Sequence, residues 1–158
     1  MTVKPSVLAV CIGRAAPLTA RDADQRAVPV MSAIAKQAVS RLDDPVPVQI
    51  GPLGLAGDEV VDLTVHGGLD KAVYLYPQEH YAFWQTVRGQ AGQHEPLQPG
   101  ALGENLLIQG LLEPELWVGD RLRIGEVELR VESPRSPCFK FNIRMAFSWA
   151  SKMMVQSG

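Results

Sequence analysis

The stretch "GDRLRIGEVELRVESP", residues 119–134, decides how the rest of the chain is read. Leu122 and Ile124 alternate with arginines on one side of Gly125–Glu126, and Val127, Leu129 and Val131 alternate with polar residues on the other. A period of two on both arms of a two-residue turn predicts a β-hairpin. The chain leaves it through "SPRSPCFKFNIR", residues 133–144, where prolines stiffen the backbone and a cysteine sits between cations.

Upstream, "LGENL" leads into an expected short strand over 105–109, and "GQAGQHEPLQPG", 89–100, has the composition of a surface loop. "YPQEHYAFWQTVRG" predicts a helix: Pro77 suits a first helical turn and Glu79 its positive end. Tyr76, His80, Phe83, Trp84 and Val87 recur at helical spacing, and Gly89 supplies a stop. Two β-rich runs, 60–65 and 72–76, flank the glycine turn of "HGGLDK". Val46, Val48 and Ile50 alternate as in a half-buried strand, "VMSAIAKQAV" reads as a helical turn or a strand, and residues 14–30 read as a long loop. Residues 7–12 read as a buried first strand, and "AFSWASKMMVQ" as a final helix. The expectation is one compact α+β domain over residues 1–158, mainly β and barrel-like, with a few short helices; fourteen glycines and twelve prolines in 158 residues favour short elements over a bundle.

The net charge of −2 excludes a global positive field that would draw nucleic acid or an anionic membrane. No apolar run approaches the roughly 20 residues that span a bilayer. Val7–Ile12 is shorter than the ~7–15 residues of a secretion-signal core. Two cysteines make no disulfide framework, so a reduced, cytoplasmic protein is expected.

The chemistry concentrates in four places. At Cys138, Arg135 and Lys140 would favour the thiolate, the form that acts as nucleophile or metal ligand, if their side chains converge on it; the plainer reading is a small buried hydrophobe, which also fits Cys11 in its apolar strand. In "HGGLDK", Gly67 and Gly68 permit close backbone approach, and His66 and Lys71 add donors and charge, as in an anion cradle. A tight turn explains the glycines equally well, and the phosphate-loop pattern is absent. Glu79 and His80 form a candidate proton-handling pair. Their alternative roles are helix-end electrostatics and packing. Glu104 and Asn105 stand just before a strand, where Asn105 binds a ligand or shapes a turn.

The order "HGGLDKAVYLYPQEHYAFW", "LGENL", "GDRLRIG", "SPRSPCFKFN" resembles the MOSC domain, the molybdenum cofactor sulfurase C-terminal type, and within it the bacterial YiiM-like group. The resemblance covers residues ~30 to 158 and is most specific at the cysteine motif. It implies a β-barrel and a bound molybdenum cofactor (Mo-molybdopterin, with no use of pyridoxal phosphate) with Cys138 as ligand to the molybdenum. It implies reduction of small N-hydroxylated compounds, such as N-hydroxylated purine bases, in a detoxifying role, with a separate flavoprotein reductase as electron donor and neither a nucleic acid polymer nor a membrane as partner. Cofactor contacts are expected from Lys36, His66, Gly67, Gly68, Lys71, Arg135, Phe139, Lys140 and Asn142, and substrate or proton handling from Glu79, His80 and Asn105 beside Cys138. A thiolate suits a soft metal centre, and the cations suit the pterin's phosphate. The alternative is a non-catalytic cofactor-binding or sulfur-carrier module using Cys138. The family's chain normally continues past "VQSG" with further barrel strands and a helical tail, so these are expected to be missing here.

Overall fold

The computed structural model describes residues 4–157. Its centre is a mixed four-stranded sheet in the order β4-β1-β8-β7, built from β1 (Ser6–Gly13), β4 (Lys36–Arg41), β7 (Leu75–Pro77) and β8 (Leu106–Gln109). β1 runs antiparallel to both β4 and β8, and β7 runs parallel to β8. The period-two pattern of β1 turns Ala9, Cys11 and Gly13 to the interior, and Ala9 and Cys11 pack there with Leu107.

Three two-stranded ribbons complete the strands. β9 (Arg121–Ile124) and β10 (Val127–Arg130) form the hairpin its alternation predicts, with Val127 opposite Ile124. β2 (Ala16–Arg21) and β3 (Ala27–Ser32) form a second hairpin where a long loop is expected. Its signal is weak because most of its side chains face solvent, so alternation is carried by few apolar residues such as Leu18, Val28 and Val30. The turn closes through Asp22, whose Oδ1 accepts from the N–H groups of Asp24 (2.9 Å) and Arg26 (2.8 Å). β5 (Ile50–Gly51) and β6 (Gly54–Leu55) are all that remains of the strand expected from Val46 onward; Pro45 and Pro47 interrupt it.

The run 60–65 is also no strand. Asp62 Oδ1 accepts from Thr64 N–H (3.0 Å) and Oγ1 (2.6 Å), and Asp62 O accepts from His66 N–H, so local turn chemistry overrides the β-propensity of the valines. The run 72–76 contributes only the start of β7. Pro77 ends β7 instead of opening the helix, and one 3-10 turn (Gln78–His80) intervenes before α1 (Tyr81–Gln90), which continues through Gly89. The segment after Cys138 forms an unexpected helix, α2 (Phe139–Met145), closed by Ala146 in the left-handed region (φ 64°). The final helix, α3 (Ala150–Ser157), starts four residues later than its composition suggests.

The main core lies between α1, α2, α3 and the β7 edge: Tyr76, Trp84, Leu102, Phe141, Met145 and Ala150. Trp84 Nε1 donates to Tyr76 Oη at 2.7 Å, and its indole meets the Phe141 ring edge-on. The molecule is thus α+β and mainly sheet, with few helices. The expected barrel is not formed among the described residues: β4 and β7 end the central sheet as edges, and no backbone ladder joins it to the three ribbons.

Candidate functional site

A shallow cleft, open to solvent, lies beside the sheet. Its wall is assembled from the β3–β4 connection (Ser32–Lys36), the segment 58–62, the His66–Lys71 loop, Tyr74, Gly103, Asn105 and the run from Arg135 to Lys140. Close chain approach makes this possible. Gly100 holds φ +88°, and a Cβ there would lie 2.5 Å from the Lys36 carbonyl oxygen, so the loop before Glu104 packs directly on β4. Gly67 lines the cleft at φ +82°, where a Cβ would press on Val60 and Leu63.

Asp58 organises the floor. Its Oδ1 accepts from Gly13 N–H (2.7 Å) and Lys36 Nζ, and its Oδ2 accepts from Asn105 Nδ2 (2.8 Å). The Lys36 and Asp58 side chains are only 9% and 8% exposed, so this is a buried ion pair. Asn105 also donates to Cys11 O and accepts from Tyr74 N–H. Its amide is committed to the scaffold, which makes it a positioning residue. Glu59 accepts from Ala15 N–H, and Asp62 is held by Thr64. Every carboxylate in the wall therefore has an internal donor.

Three of the wall's cations lack an acid partner: Lys71, Arg135 and Lys140 form no ion pair among the described residues. Lys71 Nζ donates to Val65 O, and the Arg135 guanidinium lies 5.0 Å from the centre of the Tyr74 ring. His66 stands among them, with Nδ1 3.5 Å from Arg135 Nη1. Burial first, then Arg135, Lys140 and Lys71, holds its imidazole below the ordinary range.

Cys138 lines the same cleft, partly exposed, at the residue preceding α2. Cys11 is different: sealed in the sheet, its thiol is pushed up to about 12, chiefly by burial, and it acts as a core hydrophobe. The structure thus brings together Lys36, His66, Gly67, Lys71, Asn105, Arg135, Cys138 and Lys140.

It does not bring in the others. Glu79 Oε1 accepts from Gly110 N–H, and His80 Nε2 meets Glu113 Oε2 at 2.9 Å; both tie down the connection after β8 and neither lines the cleft. Gly68 is exposed outside the wall, Phe139 is exposed on α2, and Asn142 Oδ1 accepts from Ser151 N–H to join α2 to α3. Asp58 is the wall residue that sequence reasoning missed, since nothing in "AGDEV" marks it. Glu104, behind the wall, is fully buried and accepts from Tyr81 Oη, Gly100 N–H and Leu102 N–H, with its carboxyl pushed up by burial.

The comparisons with known proteins bear on the family of the chain. Residues 62–158 match the model of the MOSC domain. The chain is 38% identical over 121 residues to Protein YiiM of Escherichia coli (strain K12), covering 77% of this chain and 53% of that protein. It is 34% identical over 118 residues to a protein named Reductase from Gibberella moniliformis, covering 71% of this chain and 20% of that one. The chain therefore spans about half or less of the length of these curated relatives. The crystal structure of YiiM from Geobacillus stearothermophilus superposes with a TM-score of 0.68 at 26% identity, covering 98% of this chain and 64% of the other. The matched span contains the His66–Lys71 loop and Cys138 but begins after Lys36 and Asp58. With its cysteine and cation loops falling inside that span, the chain belongs to the MOSC domain family.

Proposed function

We propose that the cleft holds a molybdenum cofactor, with Cys138 as the protein's ligand to the metal, and reduces N-hydroxylated compounds such as N-hydroxylated purine bases with electrons from a separate flavoprotein. The observation that carries this reading is a lone thiol in a wall whose acids each accept an internal hydrogen bond and three of whose cations, Lys71, Arg135 and Lys140, form no ion pair among the described residues. Among the described residues no three His, Cys, Asp or Glu side chains are grouped to hold a metal ion. A metal at Cys138 would need most of its ligands from elsewhere, and a pyranopterin dithiolene brings its own. The pterin's phosphate matches Lys71, Arg135 and Lys140.

When bound, the cofactor supplies the two-electron chemistry that converts an N–OH group, with two protons, to N–H and water. The chain's own residues bind and orient. Lys71, Arg135 and Lys140 neutralise the phosphate. Asp58 and Asn105 keep Lys36 and the Tyr74 backbone in place, and Tyr74 presents the Arg135 guanidinium to the cleft. His66, whose lowered affinity for protons keeps it neutral, is the wall's candidate proton donor or acceptor. Glu79 and His80 have no part in this, because they are engaged outside the cleft.

The test is elemental analysis of protein from a molybdenum-replete host, together with N-hydroxyadenine reduction by a supplied flavoprotein reductase. Stoichiometric molybdenum and turnover are expected, and both are lost in Cys138→Ala while circular dichroism is retained. Full molybdenum in the variant, or a sulfane sulfur on Cys138 without metal, overturns the reading; the latter result supports a sulfur-carrier module.

A further inference from the structure

His66 faces Arg135 in a way that couples its protonation to whatever Arg135 holds. Nδ1 lies 3.5 Å from Nη1 of Arg135. A guanidinium has only donors, so Nδ1 serves as acceptor and the imidazole proton sits on Nε2. A proton on Nδ1 and the Arg135 contact exclude one another. The other cations around the ring act in the same sense as Arg135. Lys140, in the first turn of α2, and Lys71, in the 3-10 turn Leu69–Lys71, repel the imidazolium; Asp62, on the ring's own loop, attracts it but is held by Thr64. Asp58 and Glu59 elsewhere in the wall are already engaged, Lys36 is paired with Asp58, and Cys138 completes the lining.

We propose that this cleft takes up a divalent oxyanion together with one proton, which settles on Nδ1 of His66 as Arg135 turns from that nitrogen to the anion. The oxyanion cancels the repulsion from Arg135, Lys140 and Lys71 at the same moment that it removes the donor facing Nδ1. Binding of anion and of proton then reinforce one another, and linkage requires the two effects to be equal. Burial and the three cations keep the empty site's imidazole neutral; with the anion present, His66 becomes the fourth cationic donor. The affinity for the anion therefore rises as pH falls through the imidazole range. The inference rests on the cleft being an anion receptor, as in the proposed function, but it needs neither molybdenum nor turnover.

Sulfate is the probe, because it stays divalent across neutral pH and any proton taken up belongs to the protein. The His66 imidazole is titrated by NMR in the full chain, with and without saturating sulfate at constant ionic strength. Sulfate affinity is measured by calorimetry at about pH 5.5 and about pH 8. The expected result is a His66 midpoint raised by roughly one pH unit and, by reciprocity, severalfold tighter sulfate binding at the lower pH, with roughly tenfold as the limit reached below both midpoints. His66→Gln removes the difference between the two pH values. Arg135→Ala raises the sulfate-free midpoint and diminishes its further rise on adding sulfate. A midpoint unmoved by bound sulfate, or an undiminished pH dependence in His66→Gln, overturns the coupling and leaves the cofactor reading standing. Failure of sulfate to bind at millimolar concentration overturns the anion receptor and the coupling together, whatever the molybdenum analysis shows.

Discussion

Asp58 is the residue on which the cleft most depends. It gathers Gly13 N–H, Lys36 Nζ and Asn105 Nδ2 from positions 45, 22 and 47 residues away. Removing its carboxylate would leave Lys36 as a buried cation with no acid beside it. Asp58→Ala is accordingly expected to cost about 3–5 kcal/mol in urea unfolding, and Lys36→Met with Asp58→Leu to recover most of that loss. A double variant as unstable as the single one would show that the polar floor, not the unpaired charge, carries the stability. Cys138, His66, Lys71, Arg135 and Lys140 were legible in the sequence because a scarce thiol, adjacent glycines and clustered cations are unusual in themselves. Asp58 was not, and Glu104 was singled out without its buried role, because an acid's role here comes from donors that only folding delivers.

At the scale of elements, strong local patterns prevailed and diluted ones did not. The β9–β10 hairpin, β1 and α1 each carry their period in apolar residues that the fold buries or half-buries. The β2–β3 hairpin and α2 do not, since one is mostly exposed and the other is only seven residues long. Pro77 illustrates competition between levels: it suits a helix start, yet pairing opposite Ile108 in β7 claims it and delays α1 to Tyr81. The turn before α1 then works as a clasp, with Glu79 on Gly110 N–H and His80 on Glu113. The His80 and Glu113 side chains are partly exposed, at 32% and 45%, so water weakens their attraction. His80→Ala should therefore change unfolding stability by less than about 1 kcal/mol and leave anion affinity unchanged. A marked loss of anion binding would mean that the clasp reaches the cleft through the backbone.

For the whole molecule, the helices and the sheet depend on one shared core. Trp84 is 1% exposed, bonded to Tyr76 and packed on Phe141, so it joins α1 to β7 and α2. Trp84→Ala should destabilise the chain by about 3–5 kcal/mol in denaturant unfolding, and α2 should loosen with it. Because α2 follows Cys138 directly, hydrogen exchange along 139–145 is expected to rise in the same variant; unchanged protection there would separate the cysteine segment from the core. Composition and hydrophobic period were enough to indicate an α+β chain, and the order of the motifs to show a resemblance to the MOSC domain with one thiol set among cations, because those signals are local and survive without a partner. Which side chains share a cleft, which acids are already satisfied, and whether the strands close on one another were settled by tertiary structure alone. Those outcomes depend on contacts between residues dozens of positions apart, and pairing at that distance leaves no local pattern in a single chain.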